Sequence, residues 1–256
     1  MAKGKAQRRR RRLPVPRPVE RGLDAALDTA LTIQRPVVLA YLDRVQRRHP
    51  GRTPADVVRQ LERGYLTAVI GIGGASGAAA AVPGVGTAAA LATGAAEITA
   101  FVTASAMFVL ALAELHGLPV SDPEVRRALV LSVLVGEEGT VVALQNGAAR
   151  TPRWAEVLAR PAGPGKDGKE RIGGINAHLA KLLLHRMGTR QGALLFGRAL
   201  PLGIGAAVGA GGNAALARGA IATARRAFGP PPDRFPPRVV DVPARVHEPA
   251  AGRRPA

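Results

Sequence analysis

The hydrophobic residues of this chain recur at the spacing of α-helices. Leu23 and Leu27 begin the pattern, which restarts at Pro36 and ends at residues 49–51, where His, Pro and Gly follow one another. Side chains three and four positions apart lie on one face of a helix. Residues 53–56, with the sequence Thr-Pro-Ala-Asp, have the composition of a helix start: a capping hydroxyl, a proline in the first turn and an acid. We therefore expect successive helices in this part of the chain.

Residues 66–113 form a long apolar stretch with a break in its middle. The 48 residues carry one charged side chain, Glu97. Pro83, Gly84 and Gly86 interrupt the stretch, and proline and glycine together end helices and form turns. The pattern predicts a hairpin of two apolar helices, at about 66–81 and 87–115.

A second apolar segment, residues 192–217, has a similar break at Pro201. Alternating patterns typical of strands are scarce along the chain. We therefore predict an all-α fold, a helical bundle built around two Gly/Ala-rich apolar helical hairpins. Small residues four positions apart let two helices approach closely. The positions that we expect to pack these helices or form their turns are Gly73, Gly77, Pro83, Gly84, Gly86, Pro201, Gly205, Gly209 and Asn213.

Two shorter patterns lie between the apolar segments. Residues 121–124, Ser-Asp-Pro-Glu, have the spacing of a capping box in which Ser121 and Glu124 satisfy the first turn of a helix. Glu137 and Glu138 lie between two glycines, which predicts a solvated loop.

Both ends of the chain differ in composition from the middle. Residues 1–20 hold eight Lys or Arg and three prolines, and residues 229–256 hold eight prolines. Such segments have little apolar surface to bury, which predicts disorder. No apolar run of the kind that marks a secretory signal peptide follows the basic residues. The predicted organisation is a disordered basic arm at 1–20, a helical domain at 21–228 and a disordered Pro-rich tail at 229–256.

The charge of the chain narrows the choice of partners. Among 256 residues, 36 are Lys or Arg and 18 are Asp or Glu, which gives a formal charge of +18. The densest basic run consists of Arg8, Arg9, Arg10, Arg11 and Arg12. Guanidinium groups bind phosphate, so this run favours an anionic membrane surface, or nucleic acid or another polyanion. A solvated arm without a partner is the third possibility.

The apolar hairpins fit either a membrane or a protein core. The first predicted arm, 66–81, has 16 residues, whereas a spanning helix needs about 20. Lys and Arg number 16 before residue 66, 11 in 117–191 and 8 in 218–256. Because every flank is basic, a single span would place one basic flank on the wrong side. Paired or re-entrant membrane segments and a soluble bundle with apolar central helices both stay open.

Glu97 and Arg198 are the only charged residues within the two apolar segments. A buried charge without a partner is costly, so one hypothesis is an ion pair between these side chains that joins the two hairpins. The alternative is that each side chain lies at a helix edge and reaches water.

The residues that could carry chemistry form no catalytic or cofactor motif. The chain has no Cys, which excludes disulfides, thiolate metal sites and a Cys nucleophile. The glycines at 71–77 and 163–165 lack the spacing of nucleotide-binding loops. His178 and His185, on a helix that also carries Lys181, are expected to be surface or interfacial histidines. Trp154 is expected to pack at a helix start. We predict a non-enzymatic protein with no catalytic residue, no cofactor and no metal.

Several runs in the chain form a recognisable set: Pro83-Gly84-Val85-Gly86 with Glu97 and Phe101, Leu115-His116-Gly117, Asp122-Pro123-Glu124-Val125-Arg126, residues 197–205, Gly212-Asn213 and residues 224–228. Together they resemble the EcsC family, over residues 22–232. The resemblance implies a helical, partly hydrophobic protein, and it assigns no catalytic residues because the family has no established biochemical activity. The family takes its name from genes beside an ABC-transporter pair, which implies a membrane transporter as a partner.

These observations lead to one expectation and one alternative. We expect a non-enzymatic EcsC-like protein at the cytoplasmic face of a bacterial membrane, peripheral or inserted through its hairpins, and by family analogy accessory to a membrane transporter. The alternative is a soluble cytoplasmic module that binds nucleic acid or another polyanion through its Arg-rich arm.

Overall fold

The computed structural model describes residues 25–30, 35–48, 50–80, 87–118, 121–145, 153–159, 170–185 and 204–237. Every secondary-structure element within these ranges is a helix and none is a strand. The predicted all-α fold is therefore confirmed. The helices within the described ranges are α1 (25–30), α2 (Arg35–Arg48), α3 (Pro54–Ala80), α4 (Thr87–Leu115), α5 (Pro123–Val135), α6 (Glu137–Gln145), α7 (Trp154–Ala159), α8 (170–185) and α9 (Ile204–Phe228).

The start of α3 has the capping residues that the sequence indicates. The Thr53 hydroxyl accepts a hydrogen bond from the backbone amide of Asp56 (3.3 Å), and the Asp56 carboxylate accepts one from the Thr53 amide (3.1 Å). This reciprocal pair satisfies amides at the helix start that no carbonyl group of the helix can reach. Hydrogen bonds from Thr53, its hydroxyl first, lower the pKa of Asp56 to about 2, with a contribution from Arg59.

The cap of α5 is Asp122, so the predicted capping box with Ser121 is wrong. The Asp122 carboxylate accepts hydrogen bonds from the backbone amides of Glu124 (2.8 Å) and Val125 (3.4 Å). Aspartate caps helices as well as serine does, and Pro123 fits the first helical position directly after it because a proline has no amide to satisfy there.

The loop predicted at Glu137 and Glu138 is also wrong. Both side chains are exposed, but they form the first turn of α6, where negative charge is favourable. Gly136 ends α5 with a φ of +84°. A Cβ atom at Gly139 would lie 2.5 Å from the carbonyl oxygen of Ser132 on α5. The two glycines therefore permit a sharp bend between closely packed helices.

Helices α4 and α5 form the centre of the bundle. Residues 108–113 of α4 and 128–135 of α5 are buried without interruption, so each helix is covered on all sides over that stretch. α4 contacts α2, α3, α5 and α9. The removal of these apolar side chains from water is the main source of stability in such a core.

Ser105 of α4 is satisfied inside this core. Its hydroxyl donates to the Phe101 carbonyl oxygen (2.6 Å) and lies 2.8 Å from the hydroxyl of Tyr65 on α3. The Tyr65 ring stacks on Phe108, with ring centroids 4.6 Å apart. Burial raises the pKa of Tyr65 to about 12. The contact joins α3 and α4 through a polar bond as well as through apolar packing.

The predicted boundary between the two apolar helices agrees with the structure, in which α3 ends at Ala80 and α4 begins at Thr87. α3 makes its most extensive contact with α9, and Gly73 is buried on α3. Gly77, Gly205 and Gly209 lie within these two helices, and the structure does not describe their surroundings. The predicted residues that lie outside the described ranges are Pro83, Gly84, Gly86, Arg198, Pro201 and the five arginines of the N-terminal arm.

The chain continues along the bundle after α9. Gly229 ends this helix with a φ of +74°. A Cβ atom at Gly229 would lie 3.2 Å from the Arg153 side chain, and one at Gly117 would lie 3.4 Å from Pro236. The sequence predicted a disordered tail from residue 229, whereas residues 229–237 lie against the helices. The rest of that tail, 238–256, lies outside the described residues.

An ion pair connects the start of α2 with the end of α4. Arg35 donates from Nε to Glu114 Oε1 (2.6 Å) and from Nη2 to Oε2 (3.2 Å). The two side chains are only 11% and 12% exposed. A buried pair costs desolvation, but removing one partner leaves a charge that water cannot reach.

We predict that Arg35→Met lowers the unfolding free energy by about 2–4 kcal/mol, because it leaves the Glu114 carboxylate without the guanidinium group that compensates its burial. The double variant Arg35→Met/Glu114→Leu should recover most of the loss. Urea denaturation followed by circular dichroism measures both effects. Arg59→Met, which breaks an exposed pair with Asp56, serves as the control and should resemble the wild type. Equal losses in the single and double variants would contradict this account.

Candidate functional site

A buried polar cluster lies where α3, α4 and α9 meet. Glu97 of α4 accepts hydrogen bonds from the Ser76 hydroxyl of α3 (2.6 Å) and from the Asn213 side-chain amide of α9 (3.3 Å). The Asn213 amide also donates to the carbonyl oxygen of Val69 (3.3 Å). Ser76, Glu97 and Asn213 are each less than 10% exposed. The cluster therefore ties three helices together through groups that water scarcely reaches.

The cluster changes two sequence expectations. Glu97 is 9% exposed, so the alternative in which it lies at a helix edge and reaches water is wrong. Asn213 was expected only to pack, but its amide binds the carboxyl group that needs a partner. The hypothesis that Glu97 pairs with Arg198 is not tested, because Arg198 lies outside the described residues.

A cleft of about 840 Å³ lies at the other end of the α3–α9 pair. α3, α7 and α9 line it, together with the end of α4, Thr140 of α6 and residues 229–231. Its volume is within the range of small-molecule sites in proteins. The larger apolar side chains that line it are Val58, Leu112, Trp154 and Phe228.

Charged side chains at the cleft are mostly basic. Arg59, Arg225 and Arg226 line it with one carboxylate, Glu62. Arg225 donates from Nε to Glu62 Oε1 (2.7 Å) and from Nη2 to Oε2 (2.6 Å). The Glu62 side chain is 9% exposed, whereas that of Arg225 is 66% exposed. One guanidinium thus compensates the Glu62 carboxylate. Arg59 pairs with Asp56 (2.6 Å), which does not line the cleft, and Arg226 leaves the described cleft residues with an excess of positive charge.

Trp154 begins α7 and lines the cleft. Only 2% of the residue is exposed, which confirms the prediction that it packs at a helix start. Its Nε1–H group is buried and has no hydrogen-bond acceptor among the described residues. A buried indole N–H normally finds an acceptor, so this donor is an exception among the buried polar groups.

His116, which follows the end of α4, also lines the cleft. Its Nδ1 atom is 2.8 Å from the Leu112 carbonyl oxygen, and its ring is tilted against that of Phe228 at a centroid distance of 5.2 Å. Burial lowers the pKa of His116, and the charge of Arg153 adds to this, although the carbonyl group of Leu112 and the backbone of Pro230 act in the opposite direction. The neutral ring is therefore the favoured form in the folded protein.

Of the remaining candidates from the sequence, Glu137, Glu138 and His185 line a second cleft, which they share with Arg226. His178 and Lys181 are exposed on one face of α8, as expected, and His185 is half-buried. This second cleft has a volume of about 530 Å³. In the part of the chain that the structure describes, no group of three or more His, Asp or Glu side chains could hold a metal ion.

Sequence reasoning missed the cleft. Its lining residues range from Ala55 to Pro231. The sequence singled out Trp154 as the only tryptophan, and His116 and residues 224–228 within the runs that resemble the EcsC family, but it did not place them together. Arg59, Arg225 and Arg226 resemble the other arginines of a strongly basic chain. No local pattern distinguishes them, because their proximity depends on the pairing of α3 with α9.

Comparison of the chain with protein-family models, with curated proteins and with solved structures finds no match. The functional argument therefore rests on the residues and geometry given above.

We predict that the lowered pKa of His116 makes the protein less stable as the pH falls below 6.5. In this range the unfolded chain binds a proton at its histidine before the folded protein does, so the unfolding free energy decreases. His116→Gln should flatten the decrease between pH 7.5 and 5.5, whatever its effect at pH 7.5. Urea denaturation at several pH values measures the slope. His178→Gln, at an exposed position, should retain the wild-type slope. Parallel curves for the wild type and His116→Gln would refute the assignment.

Proposed function

We propose that this chain is a non-enzymatic, EcsC-like helical protein that associates peripherally with the anionic cytoplasmic surface of a bacterial membrane. The observation that carries the proposal is the position of α4, the most apolar helix, inside the bundle. If α4 belongs to the core, the basic surface of the protein is the part that meets lipid.

The composition of α4 alone would permit a membrane span. Ala96–Leu115 is the one segment among the described helices that is long and apolar enough to cross a bilayer, and 67% of its apolar window is buried. Three of its polar side chains, Glu97, Ser105 and Glu114, have partners on α9, α3 and α2. The burial of most of the apolar window against other helices is the feature that favours a core helix over a spanning one.

The charge distribution supports binding to a surface. Arg63 and Arg218 are exposed on α3 and α9, in addition to Arg59, Arg225 and Arg226 at the cleft. Basic residues near an anionic membrane contribute about 1 kcal/mol each. The arginine run at 8–12 would add to this attraction, because the interaction needs only proximity to the lipid headgroups.

Co-sedimentation with lipid vesicles tests the proposal. We expect the full chain to bind phosphatidylcholine vesicles that contain phosphatidylglycerol, to bind pure phosphatidylcholine weakly, and to dissociate at high salt. Deletion of residues 2–12 should weaken binding by at least about tenfold, because five arginines and two lysines are lost.

Deletion of residues 246–256 is the matched control, since it removes the same number of residues and little net charge. This variant should bind as the full chain does. Equal binding to neutral and anionic vesicles would contradict the electrostatic account. Binding to single-stranded DNA with no binding to either vesicle would favour the alternative, a soluble module for polyanions.

A further inference from the structure

The interior of the 840 Å³ cleft is suited to a hydrocarbon group. Val58, Leu112, Trp154 and Phe228 are each less than 10% exposed and together provide aliphatic and aromatic contacts. Transfer of an alkyl chain from water to such a wall is favourable by about 0.8 kcal/mol for each buried methylene group. A wholly polar ligand would lose its hydration here and gain few hydrogen bonds in return.

The charged side chains at the cleft determine whether it favours an anionic or a cationic ligand. Among the described residues that line the cleft, Glu62 is the only carboxylate, and both of its oxygen atoms are occupied by Arg225. Arg226 and Arg59, of which Arg59 pairs with the exposed Asp56 (2.6 Å), add two guanidinium groups. Such groups bind carboxylates and phosphates through charge-assisted hydrogen bonds. A cationic ligand is therefore disfavoured, and an anionic one is attracted.

Trp154 supplies an independent observation. Its Nε1–H group is buried within a residue that lines the cleft, and no described residue accepts its hydrogen bond. Because the group is closed to solvent in this structure, an oxygen atom of a bound molecule would accept this hydrogen bond only after the indole ring moves. The combination of an apolar wall, a buried donor and a basic rim fits a molecule with one apolar end and one anionic oxygen-bearing end.

We propose that this cleft is a binding site for an amphiphilic anion, with the alkyl chain against Val58, Leu112 and Phe228 and the anionic group near Arg59 and Arg226. The shared chemistry is an alkyl chain that ends in a carboxylate or a phosphate. A free fatty acid and a membrane phospholipid both have it. The site goes beyond the proposed surface association, because it requires no membrane.

Fluorescence of Trp154 provides a direct measurement, because it is the only tryptophan in the chain and lies in the cleft wall. The full chain is titrated with dodecanoate below its micelle concentration, with dodecanol as the uncharged analogue and with inorganic phosphate as the anion without a chain. We expect a saturable change with dodecanoate, an affinity for dodecanol that is about tenfold lower, and no change with phosphate. Isothermal titration calorimetry with the same three compounds checks any ligand that leaves the fluorescence unchanged.

Matched charge variants test the position of the anionic group. Arg59→Gln/Arg226→Gln removes the two cleft arginines that Glu62 does not hold. Arg63→Gln/Arg218→Gln removes two exposed arginines from the same two helices outside the cleft and has the same net charge. The first variant should bind dodecanoate about five- to tenfold more weakly, and the second should bind as the wild type does.

Three results would overturn the proposal. They are no binding of dodecanoate in either measurement, equal affinities for dodecanoate and dodecanol, and equal losses in the two double variants. Vesicles that contain phosphatidylglycerol distinguish the two possible natural ligands, a membrane phospholipid and a free fatty acid. If the vesicles displace dodecanoate from the cleft, as reported by Trp154 fluorescence, the ligand is a membrane lipid. If dodecanoate is retained, the ligand is a free acid. Vesicle binding without dodecanoate binding would refute the cleft site alone, and the reverse would refute the surface association alone.

Discussion

The enclosure of α4 is the constraint on which the described structure depends. A helix that is apolar on every side must be covered on every side, and α2, α3, α5 and α9 pack against α4, whose residues 108–113 are buried without interruption. Such a helix can hold polar side chains only where a neighbour satisfies them, because an unpaired buried group costs free energy. Glu97, Ser105 and Glu114 meet this condition through different helices, so the polar contacts fix the arrangement that apolar packing alone would leave less specific.

The same arrangement produces the cleft. α3 and α9 pack along each other, and the Glu97 cluster ties them to α4 at one end. Towards the other end, Glu62 and Arg225 join α3 to α9. The last turn of α4 and the start of α7 complete the wall there with Leu112 and Trp154. A basic rim around an apolar interior is thus a consequence of how the helices are paired.

The features that could be predicted from the sequence are local ones. The break between α3 and α4 follows from proline and glycine, and the start of α3 follows from Thr53 and Asp56, because each depends on residues within one turn. The prediction of a loop at Glu137 and Glu138 is wrong because it could not take into account the contact between α5 and α6. Gly139 meets Ser132 of the preceding helix, and a glycine that permits helix packing looks in sequence like one that ends a helix.

The candidate site was less accessible to sequence reasoning. The partners of Glu97 lie 21 and 116 positions away, and serine and asparagine give no pattern that assigns them to a buried carboxyl group. The cleft brings together residues that are more than 150 positions apart, such as Arg59 and Arg226. Only the position of each helix relative to the others makes either site visible.

The central claim is that α4 is a core helix, and extraction of the expressed chain from isolated membranes tests it most directly. The membranes are washed with high salt, then with alkaline carbonate, then with detergent. The account predicts that the protein is in the soluble fraction or leaves the membrane with salt, because only its basic surface contacts lipid. Release by detergent alone would contradict the account and would place apolar helices within the bilayer.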